Sequence, residues 1–286
     1  MPDLPLVLVG VPTYNRLEKL KKTITYLLNQ SYQNIEVIVS DNHSDDSAVA
    51  LFLDQISKND SRIQFFLQNE NIEIEPNFNF VYQQAKGEYF MWVSDDDALD
   101  SDYIEKCVTF LENNKDYVLC SGISKYYDGN GHFLFQEKKI ILNNNSPLER
   151  MFKYFLQVNK NGVFYGVYRN NLNFENPVQK HPGGDWNHVA RTTLLGKVNV
   201  LENVFISRSD DGSSASRQRI TSRWNAKGIK KIFFETYVAF QVSYFLFNER
   251  VLKSRYSTLT RIIIQVILFS LLNCKFLFHF FRIRLN

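Results

Sequence analysis

The fold class depends on the stretch Gly87-Glu88-Tyr89-Phe90-Met91-Trp92-Val93-Ser94-Asp95-Asp96-Asp97, in which an apolar run ends in three adjacent carboxylates. The apolar run predicts a buried strand, and its acidic end places negative charge at the carboxyl edge of a sheet, where open α/β folds bind ligands. Adjacent carboxylates repel one another unless a cation compensates them, and oxygen ligands favour Mg²⁺ or Mn²⁺. The alternative is an ordinary acidic turn that leads into a helix capped by Asp100-Ser101-Asp102.

The first third of the chain alternates strand patterns with helical patterns. The strands read as continuous apolar runs, which indicates burial on both faces, and apolar residues recur at helical spacing between them. This βαβαβαβ order predicts an α/β fold with a mostly parallel sheet and right-handed crossovers. The predicted strands are residues 4–11, 35–40, 63–67 and 88–93, and the predicted helices are residues 17–29, 48–57 and 78–85.

The pattern becomes mixed after the acidic cluster. Residues 207–219 are rich in Gly, Ser and Arg, a composition typical of a mobile loop. We predict one domain over residues 1–219, with one half over residues 1–102 and the other over residues 103–219, and a basic, aromatic, amphipathic helical tail over residues 220–286. The further predicted helices are residues 103–112, 147–156, 186–195, 220–247 and 258–281, and the further predicted strands are residues 117–124 and 163–168.

Charge is unevenly distributed along the chain, although the net charge is only +3. Residues 204–286 carry 14 Lys or Arg against 4 Asp or Glu, whereas the first 203 residues are net acidic. An acidic body with a basic, aromatic tail predicts that the tail meets an anionic surface. The basic residues do not lie in a known nucleic-acid-binding module, so nucleic acid is not an expected partner.

The cysteines and the N-terminus bear on the cellular compartment. Cys107, Cys120 and Cys274 have neither metal-binding spacing nor an even number, which favours a reducing cytoplasm over a disulfide scaffold. The first residues lack a basic segment followed by an apolar stretch, so no signal peptide is expected.

The ends of the first two predicted strands carry polar residues and no phosphate-binding glycine motif, which argues against a dinucleotide site and a P-loop. The first strand runs into Pro12, Thr13, Tyr14 and Asn15, which offer a stacking face and hydrogen bonds to a nucleobase or ribose. The alternative is a helix cap from Asn15 beside a packed Tyr14. Asp41 ends the second strand and can accept a hydrogen bond from a base N–H, or cap the next helix.

Three segments follow one another in the chain: Pro12-Thr13-Tyr14-Asn15, then Val37-Ile38-Val39-Ser40-Asp41-Asn42, then Ala85-Lys86-Gly87-Glu88-Tyr89 leading into Ser94-Asp95-Asp96-Asp97. In this order and spacing they resemble a family 2 glycosyltransferase of the GT-A fold. The resemblance covers residues 4–102. It implies a Rossmann-like nucleotide-binding sheet, a nucleotide-diphosphate sugar donor that is UDP-linked by family frequency, and a Mn²⁺ or Mg²⁺ ion. It would make residues 1–219 a catalytic domain, with a nucleotide-sugar-binding half over residues 1–102 and an acceptor-binding half over residues 103–219. Residues 71–77 depart from the pattern, because family members often carry a glycine after the third strand.

The resemblance also implies roles for individual residues. Contacts to the nucleoside would come from Pro12, Thr13 and Asp41, and Asp95 would contact the ribose or the sugar. The metal would bind Asp96, and Asp97 could share it.

A second acidic position lies in Gly184-Asp185-Trp186. In the family, an acidic residue that opens a helix at about this distance past the metal motif acts as general base, and Asp185 matches that place. Many relatives have Glu-Asp where this chain has Gly184-Asp185. Capping of the helix over residues 186–195 is compatible with catalysis. Trp186 could form a platform for an acceptor sugar or pack in the core.

Basic side chains in residues 207–219 could close over the donor diphosphate, and the alternative is a disordered basic loop. The candidates are Arg208, Arg217 and Arg219. Direct displacement by an acceptor hydroxyl would invert the anomeric configuration, as family membership also implies.

The C-terminal tail places polar residues at helical spacing among apolar and aromatic ones. Its length almost suffices to span a bilayer, but the polar residues favour an interfacial helix on an anionic leaflet. Packing on the catalytic domain or in a dimer is the alternative. With the resemblance, the tail predicts a cytoplasmic protein bound peripherally to the inner face of the membrane, with a polyprenyl-diphosphate-linked acceptor in surface-polysaccharide synthesis. The polar positions are Arg261, Gln265, Asn273, Lys275, His279 and Arg282.

Two other functions are compatible with such a fold. A nucleotidyltransferase would share the sheet but usually has a Gly-rich, basic first loop, which this chain lacks. A membrane-attached sugar-binding or scaffold protein with a decayed site is the other alternative. The presence together of Asp41, Asp95, Asp96 and Asp185 argues against it.

Overall fold

The computed structural model describes residues 4–172, 174–210 and 217–284, which form an α/β fold with helices on both faces of one sheet. The strands are β1 (Val7–Thr13), β2 (Ile35–Asp41), β3 (Ile63–Leu67), β4 (Tyr89–Trp92), β5 (Ala98–Leu99), β6 (Tyr117–Tyr127), β7 (Phe133–Gln136), β8 (Val167–Arg169) and β9 (Lys197–Ser209). The helices are α1 (Leu17–Leu28), α2 (Ala48–Asn59), α3 (Ile74–Gln83), α4 (Tyr103–Asn113), α5 (Pro147–Gln157), α6 (Gly184–Leu195), α7 (Arg217–Arg223), α8 (Ile229–Ile232), α9 (Phe234–Phe247), α10 (Arg250–Arg255) and α11 (Thr258–Arg284).

The strand order within the described residues is β3-β2-β1-β4-β8-β6-β9-β5, with β7 paired to β6. Strands β3, β2, β1 and β4 run parallel, as do β6 and β9, whereas β8 is antiparallel to both of its neighbours. The carboxyl ends of the four parallel strands therefore meet at one edge, which confirms the predicted fold class.

The core is divided between the two faces of the sheet. Alternate residues of β1 point to opposite sides, so Val7 and Val9 pack with α1, α2 and α4, whereas Leu8 packs with α3, α5 and α6. Gly10 lets α3 approach the sheet closely, because a Cβ there would collide with Val81.

Two predicted elements are wrong in their extent. The single helix over residues 220–247 is divided into α7, α8 and α9, because Asn225 (φ 46°) and Gly228 (φ 53°) adopt left-handed backbone conformations that interrupt helical hydrogen bonding. The strand over residues 163–168 begins instead as a 3₁₀ turn (Gly162–Tyr165), which the left-handed Asn161 starts. A loop was predicted over residues 207–219. Residues 207–209 belong instead to β9, residues 217–219 belong to α7, and residues 211–216 lie outside the described residues.

Helix α11 has one packed face and one exposed face. Leu268 and Leu272 are fully buried, in the same cluster as Leu8 and Trp92. In the described part of the chain, Thr258–Phe276 passes as a membrane span by length and composition alone. The exposed face carries the large apolar residues Leu259, Ile262, Ile263, Val266 and Ile267, together with Ser270 and Cys274.

Candidate functional site

Thr13 and Asp41 lie side by side at the carboxyl edge of the sheet, because β1 and β2 pair in register up to these residues. The Thr13 hydroxyl donates a hydrogen bond to Oδ2 of Asp95 (2.8 Å), which joins β1 to the loop after β4. Oδ1 of Asp41 accepts hydrogen bonds from the hydroxyl and the backbone N–H of Ser44, at 2.5 and 3.3 Å. Burial raises the pKa of Asp41, and the hydrogen bonds from Ser44 oppose that rise.

The remaining residues of the first loop have different environments. The Tyr14 side chain is 39% exposed, which leaves its ring accessible for stacking. Asn15 has a left-handed backbone (φ 55°), and its amide exchanges two hydrogen bonds with Asp45, at 2.7 and 2.8 Å. Pro12 is buried in β1, opposite Ser40. Asn15 therefore joins the loop after β1 to the loop after β2.

Asp95 and Asp96 face the start of α1. Nη1 of Arg16 lies 3.2 Å from Oδ1 of Asp95 and 3.0 Å from Oδ2 of Asp96, and Nζ of Lys19 lies 3.5 Å from the same oxygen of Asp96. Burial raises the pKa of Asp95 to about 6; the charge of Arg16 opposes this rise and that of Asp96 adds to it. In the part of the chain that the structure describes, no group of three or more His, Cys, Asp and Glu side chains could by itself hold a metal.

Asp97 turns away from its two neighbours and into the protein, where it is 2% exposed. Nε of Arg208 lies 3.2 Å from both oxygens of its carboxylate, and the Arg208 guanidinium lies 3.7 Å from the centre of the Tyr165 ring. Burial raises the pKa of Asp97, and the charge of Arg208 opposes that rise. Arg208, predicted for the diphosphate, is thus a buried residue of β9 whose guanidinium is paired with the acidic loop.

The two other predicted arginines belong to α7. Arg217 is the first residue of this helix, with a side chain outside the described part, and Arg219 lies two residues further on in an exposed position. The last residue of the helix, Arg223, forms an ion pair with Glu75 in the first turn of α3. This ion pair joins α7 to α3, and the sequence offers no local signal for it because 148 positions separate the partners.

Asp185 lies in the first turn of α6, after Gly183 in a left-handed conformation (φ 90°). Its Oδ2 accepts a hydrogen bond from Nδ2 of Asn161 (2.8 Å). Burial raises the pKa of Asp185, and the Asn161 hydrogen bond is the largest opposing effect. Tyr165 lies beside the acidic loop, with its hydroxyl 3.5 Å from Oγ of Ser94. Burial raises the pKa of Tyr165, the charge of Arg208 opposes that rise, and the charges of Asp97 and Asp185 add to it.

Trp186 is covered by the C-terminal tail. Its ring centre lies 6.1 Å from that of Phe276, and Nζ of Lys275 lies 5.5 Å from the same ring centre. Trp186 is partly buried. The tail helix α11 therefore reaches the residue next to Asp185.

Comparison with known proteins identifies the family of the chain. The family model described as glycosyl transferase family 2 matches residues 8–173. A GalNAc(5)-diNAcBac-PP-undecaprenol beta-1,3-glucosyltransferase of Campylobacter jejuni is 31% identical over 181 residues, which cover 59% of this chain and 53% of the relative. An uncharacterized glycosyltransferase of Haemophilus influenzae is 34% identical over 122 residues, covering 43% of this chain and 37% of that protein. The chain thus spans about half or less of the length of these curated relatives.

Solved structures share the fold at low sequence identity. The crystal structure of S. aureus TarS 1-349 in complex with UDP-GlcNAc has a TM-score of 0.64 and 16% identity, and the match covers 93% of this chain and 72% of that one. A second crystal structure of TarS 1-349 has a TM-score of 0.60 and 17% identity, with 91% and 69% covered. At this identity the likeness establishes the fold, which is that of the predicted GT-A class.

Proposed function

The chain belongs to glycosyl transferase family 2, and on this basis we propose that it is a metal-dependent, inverting enzyme that transfers a sugar from a UDP-linked donor to a lipid-linked glycan. Glycosyltransferase activity follows from the family match over residues 8–173. The observation that carries the finer proposal is the hydrogen bond from Thr13 to Asp95, which brings the nucleoside end and the acidic end of the predicted donor site together.

The donor nucleotide would bind at the ends of β1 and β2. Asp41 can accept a hydrogen bond from a base N–H, the exposed Tyr14 ring can stack on the base, and Asp95 can accept from a ribose or sugar hydroxyl. Pro12 and Asn15 would shape this loop. The choice of uridine is supported by the shared fold with TarS, a structure of which contains UDP-GlcNAc.

A divalent ion fits the oxygen chemistry of the acidic loop. Mg²⁺ and Mn²⁺ are commonly held by one or two carboxylates together with substrate phosphates and waters, so Asp96 can serve without a complete protein cage. Asp97 could share the ion only by leaving Arg208, with which it is paired. When bound, such an ion would neutralise the charge that develops on the departing diphosphate. Arg16 and Lys19, which face Asp96, would supply further positive charge there.

Asp185 would act as general base. Its carboxylate would take the proton from an acceptor hydroxyl as the hydroxyl oxygen forms a bond to the anomeric carbon and the bond from that carbon to the diphosphate breaks. Attack opposite the leaving group inverts the anomeric configuration. The raised pKa of Asp185 supports this role, because a carboxylate of higher pKa is a stronger base.

The acceptor would be presented at a membrane. Helix α11 has an exposed apolar face, and the exposed Ile229, Ile232 and Phe233 flank Lys230 and Lys231 in the sequence. Exposed apolar residues together with lysines suit an anionic lipid surface. The relative from C. jejuni is named for an undecaprenol-linked acceptor. We therefore propose peripheral attachment to the inner face of the cell membrane and a polyprenyl-diphosphate-linked acceptor in surface-polysaccharide synthesis.

Calorimetry tests the donor site. UDP, GDP and TDP would be titrated, each with and without Mn²⁺, into the wild type, Asp96→Ala and the matched control Asp54→Ala, in which an exposed aspartate of α2 is removed. We expect Mn²⁺-dependent binding of UDP that is abolished in Asp96→Ala and retained in Asp54→Ala. If the folded wild type binds none of the nucleotides, the scaffold alternative is favoured and the proposal is contradicted.

A further inference from the structure

An asparagine from another part of the chain holds the Asp185 carboxylate. Nδ2 of Asn161 donates to Oδ2 of Asp185 (2.8 Å), and Oδ1 of Asn161 accepts from the Tyr154 hydroxyl (2.7 Å). An ionised carboxylate can only accept, so the amide must turn its nitrogen toward Asp185 and its oxygen toward Tyr154. Asn161 is 1% exposed and Tyr154 is fully buried, so water does not compete for either hydrogen bond.

The backbone around Asn161 is built to present this side chain. Asn161 has a left-handed conformation (φ 61°), which asparagine adopts more readily than most residues. Glu137 fixes the turn on both sides, because its carboxylate accepts hydrogen bonds from the backbone N–H groups of Lys160 (2.7 Å) and Gly162 (2.8 Å). A Cβ on residue 162 would collide with Glu137, so the glycine is required for this arrangement.

The C-terminal helix supports the same segment from the other side. Nζ of Lys275 donates hydrogen bonds to the backbone oxygens of Phe155 (2.8 Å) and Val158, at the end of α5. A cation is favourable there because the last carbonyl groups of a helix carry partial negative charge. Lys275 thereby connects α11 to the turn that contains Asn161.

We propose that Asn161 is a positioning residue for the general base, which holds the Asp185 carboxylate in one orientation and favours its ionised form. Asn161 acts through Asp185 and does not touch the acceptor. The proposal rests on the proposed function of Asp185, and the experiment below separates the two.

The groups that face Asp185 determine the sign of the expected change. Arg223 of α7 is the neighbouring cation and lowers the pKa of Asp185. Burial raises the pKa values of Tyr154, Tyr165 and Tyr168, which stay neutral, and burial lowers the pKa of His188, which also stays neutral. Loss of the Asn161 amide removes the largest effect that opposes burial, so the pKa of Asp185 rises further. Activity that needs the carboxylate would then be lost at a higher pH on acidification.

An NMR titration tests the proposal without a known acceptor. Aspartate labelled with ¹³C at Cγ would be followed against pH in the full chain, with Asp185→Asn used to assign the Asp185 signal. In Asn161→Gly, which retains the left-handed backbone, we expect the Asp185 midpoint to rise by about one pH unit. Asn225→Gly makes the same change at another left-handed asparagine and should leave that midpoint unchanged.

Tyr154→Phe provides a second variant that keeps Asn161 but removes the hydroxyl that orients its amide. In Tyr154→Phe, the titration midpoint of Asp185 should also rise, but by a smaller amount than in Asn161→Gly. An unchanged Asp185 midpoint in both Asn161→Gly and Tyr154→Phe overturns the positioning role.

Turnover separates this inference from the proposed function. The release of UDP from UDP-GlcNAc or UDP-glucose to water should fall by about tenfold or more in Asn161→Gly at neutral pH, with UDP affinity unchanged. If Asp185→Asn releases UDP at the wild-type rate, Asp185 is not the general base, whatever the titration of Asn161→Gly gives. Loss of release in Asp185→Asn, with wild-type titration and release in Asn161→Gly, would refute the positioning role alone.

Discussion

Adjacent aspartates after β4 differ because each side chain faces a different element. Asp96, whose own side chain is 10% exposed, contacts Arg16 and Lys19, whose side chains are 37% and 41% exposed, so water reaches both cations and screens these ion pairs. Asp97 contacts Arg208, whose side chain is 13% exposed, and the two charges compensate each other in the interior. Asp96 is therefore accessible to a ligand, whereas Asp97 stabilises the loop that presents it.

Replacing each of these aspartates by asparagine separates the two roles at the residue scale. Asp97→Asn leaves the Arg208 charge buried without its partner, so we expect the free energy of unfolding to fall by about 3–5 kcal/mol. Asp96→Asn should change it by less than about 1 kcal/mol, because exposed ion pairs contribute little. Urea denaturation in the presence of EDTA measures both. Equal stability of the two variants would contradict the structural role of Asp97.

The positions of the site residues at the strand ends could be predicted, because the apolar run that indicates each strand also shows where the strand stops. Thr13, Asp41 and Asp95 come directly after or within apolar runs, so their common edge followed from the parallel topology. Asn161 could not be found in this way. Its role depends on a hydrogen bond to Asp185, which lies 24 positions away in the chain. The turn that presents Asn161 is held by Glu137, which belongs to no helical or strand pattern in the sequence.

At the scale of elements, α7 is linked to α3 and lies near the start of α6. Its last residue, Arg223, pairs with Glu75 of α3, and its charge also acts on Asp185 of α6. Helix α3 in turn contacts the end of β2, because Asn77 exchanges hydrogen bonds with Ser40. Helix α7 thus joins α3 and lies near Asp185, and it begins within the basic stretch of residues 207–219 that could close over the donor.

Removal of the Arg223 charge should release α7. In Arg223→Met we expect the KM for the UDP-sugar to rise about threefold to thirtyfold, the effect of about 0.7–2 kcal/mol, because closure over the donor becomes less favourable. Cleavage by chymotrypsin at Trp224 should also accelerate. Lys227→Met, a charge removal at a nearby exposed position, serves as control. An unchanged KM together with an unchanged cleavage rate in Arg223→Met would show that the ion pair does not hold the helix closed.

The bounds of helices and strands were predicted well where buried apolar residues set the sequence pattern. They were predicted poorly where the backbone conformation of a single residue ends an element. The parallel strands differ from their predicted bounds by a few residues, since runs such as Val37-Ile38-Val39 are buried on both faces. The long helix over residues 220–247 failed because apolar composition continues through Asn225 and Gly228, where the backbone turns. Periodicity reports which residues are apolar, and it does not report a change in chain direction.

At the scale of the molecule, the tail is packed as part of the catalytic body. Arg191 of α6 and Glu249, directly before α10, form a buried ion pair (3.2 Å), and Asn187 donates a hydrogen bond to the backbone oxygen of Val242 in α9. These contacts and the shared core cluster fix the exposed face of α11 relative to Asp185. A membrane bound to that face would therefore meet the site in one orientation.

The exposed face of α11 should determine membrane binding. In Ile263→Glu/Ile267→Glu, two apolar contacts are replaced by charges that an anionic leaflet repels, so we expect binding to vesicles of phosphatidylethanolamine and phosphatidylglycerol to weaken by about tenfold to a hundredfold. Gln55→Glu/Asn59→Glu adds the same charges at the same spacing on α2 and should bind like the wild type. Vesicle flotation measures the affinity, and release of UDP to water checks that the site is intact. If vesicle binding is unchanged while the α11 variant converts a dimer to a monomer in sedimentation, the face is a contact between two copies of the chain.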